Sequence, residues 1–594
     1  VFLDPNLLSE DGTASLSSTA FSESGNLYAY GVSKSGSDWQ TIYIRDVETG
    51  KDLADKIEWV KFTSICWTHD DQGFFYGRYP TPKTSADKAG VEVDSNQNHM
   101  IWYHKVGTSQ DEDVLVYKDE ERPKYSVYTE VTDDGKYLIF CPKNGCKQEN
   151  AVFYGELSTF DRSNGSIRIH RLVDNENARY EYITNDGTLF YFMTNLNAPR
   201  KRVMCVDIAD PYNRKWKEII AETNDVLTFV MCVNQSYLVV NYLRDVKDVL
   251  ELRRLNDGSF IKELQLPGLG TTSDFSGKKT ESEIFYKFTS FVNPGTIYRY
   301  NFETDSTNVF KEIVVPDFDP LLYNVEQVFY QSYDGTKVPM FIVTKKGWKL
   351  DGSQAMQLYG YGGFNVSVNP TFSSFVTVMM NNLNVGFAIA NIRGGGEYGK
   401  TWHEGGMKKN KQNVFDDFQA AAEYLISNKY TNPSKLIING GSNGGLLVGA
   451  CINQRPELFG CGVAAVGVMD MLRFHKFTIG HAWRSDYGDP DVEDDFNYIV
   501  KYSPLHNVSD DKPYPAILLT TGDHDDRVSP LHSYKLISTL QHKLGDKPFQ
   551  TNPLMIRIET KAGHGAGKPT AKIIEEKADV FAFMAKTVGL TWTE

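Results

Sequence analysis

Ser442 stands in Asn439-Gly440-Gly441-Ser442-Asn443-Gly444-Gly445, a Gly-x-Ser-x-Gly pattern between the apolar run Leu436-Ile437-Ile438 and a small-residue segment of helical character. A sharp strand-to-helix turn needs glycine around the serine, because side chains there would collide with neighbouring backbone. Such a turn lifts the hydroxyl above a sheet and aims a helix N-terminus at it. With 48 glycines in the chain the bare pattern is weak, and its flanks sharpen it. A serine hydroxyl is a poor nucleophile at neutral pH and needs a base. In this arrangement an acid and then a histidine follow along the chain, each after a later strand. Asp523-His524-Asp525-Asp526 follows the apolar run 516–521, and spacing leaves its three carboxylates in competition. His564, after the run Met555-Ile556-Arg557-Ile558, is the one histidine of 12 placed where the order demands a base. His524, beside three acids, reads as structural, and His475 and His481 read as packed or hydrogen-bonded. The chemistry would be acyl transfer. His564 takes the Ser442 proton and returns it to a leaving amine, while the acid holds the imidazole tautomer. The oxyanion needs preplaced donors. One is the backbone N–H of Asn443, and the loop Leu358-Tyr359-Gly360-Tyr361-Gly362-Gly363-Phe364 is placed to supply a second. No His-Glu-x-x-His or other ligand spacing is present, so neither metal nor cofactor is expected.

These residues need a parallel sheet to hold them. From about residue 325 a hairpin around Asp334-Gly335-Thr336 leads into apolar runs at 387–390, 436–438, 463–466, 516–519 and 555–558. Continuous apolar strands suit a parallel sheet buried on both faces. Amphipathic segments alternate with them. Phe415, Phe418, Ala422, Leu425 and Ile426 fall at helical spacing, and a last helix from Thr570 to about Val588 places Ile574, Ala578 and Phe581 on one apolar stripe. The alternation predicts a doubly wound α/β domain over 316–594.

The first part, 1–315, reads differently. A polar turn followed by aromatic alternation recurs six times at intervals of roughly 40 to 60 residues. Examples are Asp70-Asp71-Gln72-Gly73 before Phe74-Phe75-Tyr76, and Thr132-Asp133-Asp134-Gly135 before Tyr137-Leu138-Ile139-Phe140. Asp-Gly and Asn-Asp-Gly suit tight hairpins, and the period suits four-stranded propeller blades. The fold class is therefore multidomain, a β-propeller with about six visible blades plus a doubly wound sheet.

At 594 residues more than one core is required. A net charge of −14 argues against a nucleic-acid partner, and no run of 18 apolar residues offers a membrane span. Seven scattered cysteines suit free thiols in a reducing compartment, so a cytoplasmic location is expected, although the chain opens on Val1-Phe2-Leu3 without a Met and a preceding segment could carry a targeting signal.

The sequence resembles the prolyl oligopeptidase family closely. The matching blocks are 359–364, 391–399, 439–445, Gly467-Val468-Met469-Asp470, Gly480-His481-Ala482-Trp483, 523–528 and 563–569. The resemblance implies a serine peptidase with an α/β-hydrolase domain, cutting short peptides after proline, as a monomer, beneath a propeller cap that excludes folded proteins. It implies Asp525 as the triad acid, Tyr361 as the hydroxyl donor beside the Asn443 N–H, and Trp483 as the ring that stacks on the substrate proline. Phe364, Val468, Tyr487 and Val528 resemble the rest of that pocket, Arg527 the group that binds a substrate carbonyl, and Cys232 a family cysteine near the cavity. Two other outcomes stand beside hydrolysis: transpeptidation or macrocyclisation through the same acyl-enzyme, and a non-catalytic propeller scaffold. The family has seven blades and an N-terminal segment, so this chain is expected to start after the first blade region.

Overall fold

The computed structural model describes residues 1–83, 89–210, 215–565 and 568–593. Among these, six antiparallel sheets of four strands follow one another from Ala14–Phe21 to Ser306–Glu312, each strand pairing with the next in sequence. The six polar turns occupy one position in the repeat, the link between a sheet's first and second strands. The second and third also share their chemistry. Asp70 accepts from Thr68 Oγ1 at 2.7 Å and Gln72 N at 3.2 Å, and Asp134 accepts from Thr132 Oγ1 at 2.8 Å and Lys136 N at 3.2 Å. An Asx turn of this kind sets the chain for a hairpin, and Gly135 takes the positive φ of 68° that closes it.

Successive aromatic residues in the second strands explain how the sheets stack. Phe74 packs into a core shared with the sheet before it, while Phe75 packs into one shared with the sheet after it. Phe190 and Tyr191 divide in the same way, as do Val239 and Val240. Strands sandwiched between neighbours on both faces need apolar side chains in both directions, which is the arrangement of propeller blades.

An eight-stranded sheet follows. Tyr323–Gln331, Lys337–Lys345 and Gly386–Ala390 pair antiparallel; from there Met356–Tyr359, Leu436–Gly441, Cys461–Ala465, Ala516–Gly522 and Leu554–Glu559 run parallel. One face is covered by the helices Gln412–Ser427, Asn443–Gln454 and Leu531–Leu544, the other by Ser374–Asn382 and Thr570–Val588. The amphipathic helix at 412–427 buries Phe415, Phe418, Ala422 and Leu425 as expected. The last helix corrects the sequence reading in part: Val580, Met584 and Val588 are buried and Phe581 packs half-buried against the same core, while Ala578 is exposed and Ile574 is 58 % exposed. That helix carries two adjacent apolar stripes, and docking on the sheet selects the one that meets Val463 and Leu518. No helix among the described residues is long and apolar enough to cross a membrane.

Candidate active site

The elbow forms where the central strand Leu436–Gly441 meets the helix that begins at Asn443. Ser442 sits between them with φ 58° and ψ −118°, a strained conformation for a residue with a side chain. It is pinned by its own N–H, which donates to Ala465 O at 2.8 Å. The flanking glycines are required by contact: a Cβ on Gly440 would lie 2.3 Å from Gly444 O, one on Gly444 2.8 Å from Gly360 O, and one on Gly445 2.6 Å from Gly467 Cα. Backbone runs against backbone, and this lets the Ser442 side chain stand out of the turn.

The three competing carboxylates separate completely. Asp523 pairs with the neighbouring His524 at 2.6 Å. Asp526 is buried and turned toward the propeller, where it accepts from Lys61 Nζ at 2.8 Å, Asp38 N at 2.9 Å and Ser37 Oγ at 3.2 Å. Asp525 alone meets His564, its Oδ2 2.8 Å from Nδ1. Its Oδ1 is held by the N–H groups of Arg527 at 3.1 Å and Val528 at 2.8 Å, so the carboxylate cannot rotate without losing two donors. The His564 loop closes tightly over the propeller, for a Cβ on Gly563 would fall 1.8 Å from Gly36 O. Ala566 and Gly567 of the same block lie outside the described residues. His475 pairs with Asp491 at 2.9 Å and His481 with Asn96 O at 2.9 Å, as structural histidines do.

Ser442 and His564 open into one cavity of about 440 Å³, together with Tyr361, Phe364, Val468, Trp483, Tyr487 and Arg527. Burial pushes the Tyr361 hydroxyl up to about 12, against a hydrogen bond with Ser442 that pulls it down, so the group keeps its O–H beside Ser442 at neutral pH. The Asn443 N–H begins the helix on the other side. Phe364 meets Tyr487 edge-on at 5.3 Å, and Trp483 lies parallel to Phe474 at 6.2 Å, which fixes the slab of the pocket. Arg527 stands at the rim, gripped by both oxygens of Asp38 at 2.6 and 3.1 Å. Val528 lies in the core behind and is not among the lining residues; its contribution here is the N–H that holds Asp525.

Cys232 is placed differently from the sequence expectation. It is buried in a propeller core with Tyr191, Cys205 and Leu238, away from the cavity. The cysteine that lines the cavity is Cys146, on the third sheet, where Tyr128, Lys143 and Gln148 complete the wall. The link after strand Tyr137–Asn144 docks beside Trp483: Cys146 N donates to Ala482 O at 3.2 Å, and a Cβ on Gly145 would lie 2.8 Å from Ala482. Burial raises the Cys146 thiol to about 11, so it is a neutral wall group. Nothing in the spacing of Asn144-Gly145-Cys146 distinguishes it from other blade links; only docking brings it to the site.

A serine at a strained elbow, a histidine braced by a buried carboxylate and a propeller over the same cavity define a class, the two-domain serine hydrolases with a capped site. A family model described as prolyl oligopeptidase, N-terminal beta-propeller domain, matches residues 1–313, and one described as prolyl oligopeptidase family matches residues 370–591. The chain belongs to the prolyl oligopeptidase family. It is 44% identical over 612 residues to prolyl oligopeptidase A of Galerina marginata, covering 100% of this chain and 82% of that one. It is 42% identical over 591 residues to a prolyl endopeptidase of Elizabethkingia meningoseptica, covering 99% and 81%. Among solved structures, prolyl oligopeptidase B of Galerina marginata bound to a 35mer hydrolysis and macrocyclization substrate superposes with a TM-score of 0.93 at 39% identity, over 99% of this chain and 82% of that one.

Proposed function

We propose that this protein is a serine endopeptidase that cleaves short peptides on the carboxyl side of proline, with Ser442 as nucleophile, His564 as base and Asp525 as the acid that orients it. The observation that carries the reading is the His564–Asp525 pair at 2.8 Å in a cavity shared with the elbow serine and the Trp483 slab. Ser442 Oγ attacks the prolyl carbonyl carbon while its proton passes to His564 Nε2. The carbonyl oxygen becomes an oxyanion held by the Asn443 N–H and the Tyr361 O–H. Collapse breaks the C–N bond, the imidazolium protonates the leaving amine, and a prolyl ester remains on Ser442. Water then gives a proton to His564 and attacks the ester, releasing the acid and restoring the serine. Proline is a flat apolar ring without an N–H, so an indole slab with Phe364, Val468 and Tyr487 as walls suits it. Residues 1–315 form the cap in this reading and 316–594 the catalytic unit. Seven unpaired cysteines support action in a reducing compartment, the cytoplasm, and the protein acts as a monomer.

The test is turnover of a blocked Gly-Pro reporter peptide together with fluorophosphonate labelling. Ser442→Ala should abolish both while leaving the melting temperature unchanged; full cleavage by that variant refutes the assignment. A second outcome of the same ester has support in the relative whose bound substrate is named for macrocyclization as well as hydrolysis. An amine at the peptide's own N-terminus would displace Ser442 in place of water, and mass spectrometry of products from a long proline-containing peptide separates the two.

A further inference from the structure

Behind the cavity wall lies a cation that the acyl-transfer steps do not use. Lys411, just before the helix Gln412–Ser427, is buried, with its ammonium 2.8 Å from Gly362 O and 3.0 Å from Asn443 Oδ1. The Asn443 side chain is bonded at both ends. Its Nδ2 donates to Tyr361 O at 2.5 Å, and its Oδ1 accepts from Tyr487 O–H at 2.9 Å as well as from Lys411. The loop is pressed onto this amide, for a Cβ on Gly363 would lie 2.7 Å from Asn443 Nδ2.

We propose that Lys411 is a positioning residue that locks the two oxyanion donors to each other, the Tyr361 loop on one side and the Asn443 elbow on the other. The inference rests on the oxyanion reading given above. One ammonium bridges the carbonyl next to Tyr361 in the chain and the side chain of the residue whose N–H is the other donor. Through Asn443 Oδ1 it also reaches Tyr487 in the proline pocket. A simple buried ion pair accounts for less: Asp486 Oδ2, which has no hydrogen-bond partner, stops 3.9 Å from the ammonium, beyond hydrogen-bond reach, while Oδ1 meets His403 Nε2 at 2.5 Å and Phe364 N at 3.2 Å. The two neutral oxygens are the nearer partners. Donors must sit where the oxyanion will form before it forms, so a loop free to drift by a fraction of an ångström loses rate without losing substrate affinity.

The charge on this group is set by its surroundings. Burial pushes Lys411 down to about 8, and the Asp486 carboxylate opposes the shift. The other titratable groups facing this pocket are His403, Tyr361, Tyr487 and, across the cavity, Cys146. The ammonium is present below about pH 8 and is lost as pH rises through that value, so the lock is expected to loosen on the alkaline side.

The test is a cycle of Tyr361→Phe, Lys411→Met and the double variant, read as kcat and KM on the Gly-Pro reporter near neutral pH. Lys411→Met is expected to lower kcat by about 10- to 100-fold with KM within about threefold, since donor placement is lost and the proline slab remains. The double variant is expected within about threefold of Tyr361→Phe alone, because the elbow and its helix hold the Asn443 N–H without Lys411, and misplacing a hydroxyl that is absent has no further effect. Losses that multiply in the double variant, or a Lys411→Met kcat within about twofold of wild type, overturn the proposal. A harmless Tyr361→Phe sinks the oxyanion reading itself, and the proposal with it. Should Lys411→Met fail to fold, the wild-type pH profile decides. A fall in kcat above about pH 8 that is missing from Tyr361→Phe supports the lock, and a wild-type kcat flat from about pH 7 to about pH 10 overturns it.

Discussion

Asp525→Asn is the substitution whose outcome the geometry dictates most directly. The Arg527 and Val528 N–H groups point at Oδ1 from 3.1 and 2.8 Å and need an acceptor there. An asparagine that keeps its carbonyl oxygen in that place must turn its NH2 toward His564 Nδ1. The imidazole then accepts at Nδ1 and carries its proton on Nε2, facing Ser442 as a donor when catalysis requires an acceptor. Flipping the amide would restore the tautomer but set NH2 against two N–H groups. At about 2 kcal/mol for each orphaned donor, the productive orientation is disfavoured by about 4 kcal/mol, or about 10³ in population. Losing the carboxylate that steadies the imidazolium extends the expected fall in kcat to about 10⁴. The assay is kcat on the Gly-Pro reporter near neutral pH, with a thermal melt to show that the isosteric change leaves the fold intact. Asp523→Asn is the control. That carboxylate pairs with His524 at the surface, and its loss should stay within about threefold. A folded Asp525→Asn enzyme within about 30-fold of wild type, or an Asp523→Asn enzyme equally damaged, would refute the reasoning.

Two further outcomes follow from burial. Trp483→Ala removes a slab that is 8 % exposed, and should lower kcat/KM for a proline reporter by about 30-fold, roughly 2 kcal/mol, with a smaller effect on an alanine analogue; equal losses on both would argue against the stacking role. Glu397 is buried with Oε1 accepting from Val368 N at 2.9 Å and Oε2 unpartnered, and burial raises it from 4.5 to about 7. A carboxyl raised in the folded state contributes stability below its unfolded value that is lost as pH climbs toward the folded one. By about pH 8 the charged form therefore costs about 3 kcal/mol. Glu397→Gln should raise the melting temperature near pH 8 relative to wild type and lose that advantage near pH 5; a gain independent of pH would contradict the assignment.

Much of the architecture was legible because local chemistry carries it. Short polar turns rich in Asp, Asn, Ser and Gly close hairpins through their own local bonds, so six of them marked six sheets. The glycines around Ser442 announced a strand-to-helix turn because only hydrogen fits between those backbones. Aromatic alternation marked the strands but suggested packing on one face; that Phe74 and Phe75 are buried toward opposite neighbours was decided by the stacking of the sheets. The last helix shows where periodicity stops: two apolar stripes lay side by side, and only the sheet could choose the one through Val580 and Met584.

The order of Ser442, the acid cluster and His564 is a property of sequence, and so is the placement of Ser442 at a strand-to-helix turn, which depends on residues adjacent along the chain. Choosing Asp525 over Asp523 and Asp526 is tertiary, because it turns on which carboxylate faces His564 and which faces Lys61 from the propeller. The same holds for Cys146 in place of Cys232, and for the Lys411 ammonium between Gly362 and Asn443. Partners brought together from far apart in the chain leave no pattern in spacing. Their distances exist only once the two domains and the sheet are assembled.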